Sequence, residues 1–183
     1  MKHIVWIAVL AVGVVLAMVV AHRQDVLAAA PKAASSTGKV RIGVYDSRAI
    51  AVAWVGSEFN PTRQKLAEHA DAKKKGDEKK AAELEAWGTA KQRLLHFQGF
   101  GRVPVDDLLT PVKKGVATVA KEKKLAAIAM QCDYTAPNVE VVDVTNALVE
   151  LYRPNERTRE TVRQMRNVKP IGLLELADMK ATD

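Results

Sequence analysis

Leu125 to Tyr152, LAAIAMQCDYTAPNVEVVDVTNALVELY, constrains the fold of this chain more than any other stretch. Leu125–Met130 is a short apolar run, and Val139–Val144 is a second one rich in β-branched residues. Pro137 and Asn138 between them favour a turn. Asp143 and Thr145 each carry an oxygen able to accept from free amides at a helix start, so NALVELY reads as a helix. The local expectation is strand, turn, strand, helix. A hairpin that small is marginal alone, so it needs a third strand and a covering helix from elsewhere.

The third strand is predicted at Val40–Ser47, VRIGVYDS, where Val40, Ile42 and Val44 alternate with Arg41, Gly43 and Tyr45. Asp46 and Ser47 suit the cap of a short helix through RAIAVAW, interrupted at Gly56. Asn60-Pro61 marks the next helix start. A polar helix follows with Leu66, Ala67 and Ala70 as its thin apolar side, and Gly76 inside KKKGDEKK is the natural tip. The chain then resumes with Ala81, Leu84, Trp87, Leu94 and Leu95 at helical steps, a stripe broken by Lys91. So narrow a seam suits a two-helix hairpin, at about residues 57–103, with GFGRVP as the bend that closes it. Val105, Leu108, Leu109, Val112, Val116 and Val119 form the best amphipathic pattern in the chain and are predicted to cover the sheet. The expected fold class is therefore α+β: a small antiparallel sheet of about three strands, a covering helix and a projecting helical hairpin.

The N-terminal part speaks about location. Ile4 to Ala21 holds 18 uncharged residues between Lys2 and Arg23. That length sits at the lower limit for spanning a bilayer and is long for a signal-peptide core. Residues 1–23 are thus expected to be a signal peptide or a transmembrane anchor, with everything beyond Arg23 exported. Residues 24–39, rich in Ala, Ser and Lys with one Pro, read as a flexible tether. The α+β domain is placed at 40–152 and a basic helical extension at 153–183. Net charge is +7, or about +5 once Lys2 and Arg23 are set aside. No basic block is interleaved with aromatics, which argues against a nucleic-acid platform. The cations at the hairpin tip, Lys73, Lys74, Lys75, Lys79 and Lys80, and those of the extension, Arg157, Arg159, Arg163 and Arg166, are the candidate contacts for an acidic partner or client.

No catalytic constellation emerges. Asp106 and Asp107 are adjacent, so on a helix they point about 100° apart and suit the positive end of its dipole. His69 and His96 lack a third ligand at metal spacing, and Cys132, the chain's one cysteine, lacks a histidine partner and is expected to be buried. No glycine loop has phosphate-cradling form. The small strands and thin helices are not expected to enclose a pocket. Neither cofactor nor metal is expected, and the chain reads as a binding protein rather than an enzyme.

Three segments, VRIGVYDSRAI, VAKEKKLAAIAM and NVEVVDVTNALVELY, resemble the Skp (OmpH-like) periplasmic chaperones. They cover Val40–Ile50 and Val119–Tyr152, about a quarter of the chain. The resemblance implies a periplasmic, trimeric holdase that grips unfolded envelope proteins with basic helical arms around a small β-structured body. This chain departs from the pattern in its short arm, its anchor-like N-terminus and its arginine-rich extension. The competing expectation is a membrane-anchored scaffold that assembles with itself or with one envelope partner.

Overall fold

The computed structural model describes residues 39–178. The signal or anchor at 1–23 and nearly all of the tether at 24–39 lie outside them. No helix among the described residues is long and apolar enough to cross a membrane.

The expected antiparallel sheet is not what forms. Strand β1 (Val40–Val44) lies in the middle, flanked by β2 (Ala127–Ala129) and β3 (Val139–Asp143), and both neighbours run parallel to it. Ile42 pairs with Ala127 on one side and Val141 on the other. The two later strands never touch as a hairpin, because β1 separates them. The turn signal at Pro137-Asn138 is real but performs a different task. Val139 N–H donates to the Ala136 carbonyl at 2.9 Å, so the turn feeds the chain into the start of β3. The nine residues from Met130 to Asn138 can span roughly 30 Å extended, enough to run back along β1 and enter beside its other edge.

The direction of the faces also differs from the simplest expectation. Gly43 is the buried residue of β1, while Val40 on the alternate face is 40% exposed. A Cβ at Gly43 would stand 2.8 Å from the Leu125 side chain and 3.2 Å from those of Ile128 and Val144. The glycine therefore admits the core side chains of the neighbouring strands close to the backbone. The other face carries Val40, Ile42, Val139 and Val141, with Val141 44% exposed.

The helices follow in chain order: α1 (Ser47–Val55), α2 (Thr62–Lys75), α3 (Glu78–Phe100), α4 (Asp106–Leu109), α5 (Lys113–Glu122), α6 (Thr145–Val149), α7 (Glu156–Arg166) and α8 (Leu173–Asp178). Single 3-10 turns sit at Thr110–Val112 and Glu150–Tyr152. Most of the described chain is thus helical around a minimal sheet. The core gathers about α1, and the Val105–Val119 segment lends it Val105, Leu108, Val112 and Val119, with Leu109 and Val116 packed against it. Pro111 breaks that segment into α4, a 3-10 turn and α5. Seven of the nine residues of α1 are buried, including Ile50, Ala51, Ala53 and Trp54. It packs against α3, α6 and α7. Tyr45, Val144, Leu148, Val149, Tyr152 and Val162 complete the cluster. The Tyr152 hydroxyl donates to the Leu108 carbonyl at 2.8 Å inside it, and burial raises the phenol pKa well above its usual value.

A polar relay ties the carboxyl ends of β1 and β3 to the helices. Asp46 accepts from the Arg48 amide at 3.0 Å, capping α1, and from Arg48 Nε and Nη2 at 3.0 and 2.7 Å. Arg48 Nη1 donates to the Val168 carbonyl at 2.8 Å, fastening the segment after α7. The Asp46 amide donates to Thr145 Oγ1, and Asp143 Oδ1 accepts from the Thr145 amide at 2.8 Å. Asp143 also pairs with Arg166. Burial works against ionisation of both carboxyls. For Asp46 the Arg48 hydrogen bonds and charge outweigh it, and for Asp143 the Thr145 and Arg166 contacts do, so both pKa values fall below the usual range.

The sign of the pH dependence follows. Groups depressed in the fold lend stability above their unfolded pKa, about 3.9 for aspartate, and lose it as pH falls through the lower folded value. Melting temperature is expected to hold from pH 7 to about 5 and to drop steeply below about 4. The Asp46→Asn, Asp143→Asn double variant should show a shallower drop in the same thermal scans.

Candidate functional site

Helices α2 and α3 form the arm. They meet at Gly76, which has φ +70°, and its N–H donates to the Ala72 and Lys73 carbonyls. Asp77 then caps α3 by accepting from the Lys80 amide at 3.0 Å. Between the two helices only small contacts are buried: Ala72 from α2, Ala81 and Leu84 from α3. An L-residue at Gly76 would adopt a left-handed backbone at a cost of about 1–2 kcal/mol. Gly76→Ala should lower the stability of the arm by that amount, read as faster amide exchange of residues 70–82 than of α1.

Lys73, Lys74, Lys75, Lys79 and Lys80 all surround this tip and are all exposed. Lys73 approaches Glu78 at 3.6 Å and Lys80 approaches Glu83 at 3.9 Å, both long and solvated. Lys74, Lys75 and Lys79 make no ion pair among the described residues. Such exposed pairs add little stability, and the tip, residues 73–80, carries five lysines against Asp77 and Glu78, a net charge of +3. One open face of α3 carries Ala82, Ala86, Ala90, Leu94 and Phe97, with Glu85, Thr89 and Arg93 set among them. Leu66 on α2 is 64% exposed. The arm therefore presents charge at its end and thin apolar surface along its length.

The base of the arm is stapled to the core. Lys91, which broke the apolar stripe, places its ammonium 4.7 Å from the centre of the Trp54 ring and 3.0 Å from Asp107 Oδ2. Buried Gln98 donates to Asp107 Oδ1 at 2.8 Å and to the Pro104 carbonyl at 3.2 Å. Asp107 thus holds the arm, a task its place at a helix start did not reveal.

The arginines of α7 behave differently from the lysines. Arg159 grips Glu150 with two bonds, at 2.9 and 2.8 Å. Arg163 reaches Glu156 and Glu160 at 2.8 Å. Arg166 binds Asp143 and, at 3.2 Å, Asn146. Arg157 alone of the four has no acidic partner among the described residues. Val162 of the same helix is buried in the core. Most of this basic face is spent within the fold, whereas Lys74, Lys75 and Lys79 at the arm tip, like Arg102, Lys113, Lys114 and Lys169 elsewhere, make no ion pair among the described residues.

Cys132, expected in the core, is half-buried. Among the described residues no group of three or more His, Cys, Asp or Glu converges as a metal site. The arrangement is that of a small α/β body carrying a helical arm with a cationic tip. No family model, curated protein or solved structure matches the chain.

Proposed function

We propose that this chain is an exported, non-enzymatic envelope protein that holds unfolded polypeptide by its arm, in the manner of the Skp-like chaperones its sequence resembles. The observation that carries this reading is the juxtaposition on one arm of unpaired Lys74, Lys75 and Lys79 with the open α3 face whose apolar residues run from Ala82 to Phe97. Long-range attraction brings an acidic, unfolded client to the tip, and weak apolar contacts along α3 retain it without a fixed register. The resemblance points to a trimer, so assembly with further copies of this chain belongs to the same proposal. The N-terminal segment would release this body into the periplasm if cleaved as a signal, or hold it at the inner membrane if retained as an anchor.

Purified protein should suppress aggregation of an unfolded outer-membrane protein at 0.15 M salt. Suppression should weaken at 1 M, where the screening length falls to about 3 Å. The Lys74, Lys75, Lys79→Gln triple variant should weaken it at both salt levels. Aggregation that proceeds unchanged at every salt concentration overturns the proposal. Recovery of one stoichiometric partner, in place of a spread of unfolded clients, would favour the anchored scaffold instead.

A further inference from the structure

The carboxyl ends of all three parallel strands open on a crevice of about 720 Å³ that the proposed holdase activity does not use. It was not legible beforehand, because its walls come from well-separated segments: Asp46 and Arg48 after β1, Met130–Cys132 after β2, Asp143 after β3, Arg102 after α3, and Arg166–Pro170 after α7. Open parallel sheets bind ligands outside the carboxyl ends of their strands, where successive connections diverge; in this chain the β1–β2 connection is helical and the β2–β3 connection is the nine-residue loop Met130–Asn138. Here the chain leaves central β1 for β2 on one side and returns for β3 on the other.

Charge defines what fits. Four cations, Arg48, Arg102, Arg166 and Lys169, face two carboxylates, Asp46 and Asp143. Those carboxylates are already engaged, Asp46 by Arg48 and Asp143 by Arg166. Arg102 and Lys169 are exposed and make no ion pair among the described residues, which leaves two positive charges uncompensated. Arg48 is 3% exposed and uses three of its five N–H groups on Asp46 and Val168, so the site's inner wall is rigid. The floor is apolar, formed by Val44, Met130 and Val141.

We propose that this crevice binds a small organic phosphate, a phosphate monoester whose body lies on the apolar floor while its headgroup meets Arg102 and Lys169. A monoester carries about −1.5 to −2 charges at pH 7 and so matches the surplus, whereas a monocarboxylate supplies only one. Guanidinium and ammonium donors are the usual partners of such oxyanions.

Cys132 lines the crevice and is the only cysteine in the chain, which gives a local readout. The full-length protein in detergent would be labelled with an uncharged maleimide in the presence of phenyl phosphate, inorganic phosphate or phenol. Phenyl phosphate at millimolar concentration should slow labelling several-fold and saturably, with phenol leaving the rate unchanged and inorganic phosphate giving weaker protection. The Arg102→Gln, Lys169→Gln double variant should label at the unprotected rate with or without phenyl phosphate. Both residues are exposed, so folding should survive, and an unchanged melting temperature would verify it. No protection, equal protection by phenol, or protection that persists in the double variant overturns the anion site. Equal protection by inorganic phosphate overturns the role given to the apolar floor. None of these readouts depends on client binding by the arm.

Discussion

Replacing Arg48 with methionine is expected to lower the unfolding free energy by about 3–5 kcal/mol, measured by urea titration. The guanidinium is nearly inaccessible, and the Asp46 side chain beside it is only 13% exposed. Removing the arginine leaves that carboxylate part-buried with one remaining charge nearby, Arg102, which lies at the solvent side. It also frees the Val168 carbonyl, which ties the segment after α7 to the start of α1. The cost is mainly that of a stranded charge, and a second variant separates this from lost packing. If Asp46→Asn is added, the charge disappears while the amide oxygen still accepts from the helix terminus. The Arg48→Met, Asp46→Asn double variant should therefore recover part of the loss. A double variant as unstable as the sum of the two single variants would place the effect in packing instead. The same pair makes the protein acid-labile, so Arg48→Met should also flatten the stability loss below about pH 4.

Local chemistry was readable from the chain, while direction and burial were not. The β-branched residues of Val40–Val44 and Val139–Asp143 mark strands whichever way they run, since side-chain alternation is the same in parallel and antiparallel pairs. Direction depends on the connections. The Pro137-Asn138 turn looks identical whether it reverses the chain within a hairpin or feeds it into a parallel strand. The face of β1 was equally ambiguous: three aliphatic residues argue for one side, yet the glycine side is buried because neighbouring core residues need its missing Cβ. Other features had signals in plain view. RAIAVAW is apolar on nearly every side, which is the mark of an enclosed helix, although it is shorter than the amphipathic Val105–Val119 pattern. Arg159 with Glu156 and Arg163 with Glu160 stand three residues apart, and Arg163 with Glu156 seven, two turns along the same face, so their pairing follows from helix geometry alone. Lys91 interrupts an apolar stripe because it reaches Trp54 and Asp107, partners that only the fold brings near. The cationic arm tip was legible because it is local to one turn; the crevice was not, because no two of its walls are neighbours in sequence.

Ile50→Ala should cost about 2–5 kcal/mol, whereas Leu66→Ala should change stability by no more than about 0.5 kcal/mol. Ile50 is wholly inaccessible at the centre of α1, where the helix meets α3, α6 and α7, and little can move in to fill the space. Leu66 is 64% exposed on the arm and has almost no transfer energy to lose. A domain is typically stable by only about 5–15 kcal/mol, so Ile50→Ala alone consumes a large share of what holds this one folded. The contrast matters because the two positions separate stability from binding. If the arm works as proposed, Leu66→Ala combined with Leu94→Ala should weaken aggregation suppression while the urea midpoint stays within error of the parent protein. Ile50→Ala, assayed well below its melting temperature, should do the reverse: a lower midpoint with client holding intact. Should both variants lose client binding in proportion to lost stability, the arm has no surface function of its own, and the core and the arm must be read as one cooperative unit.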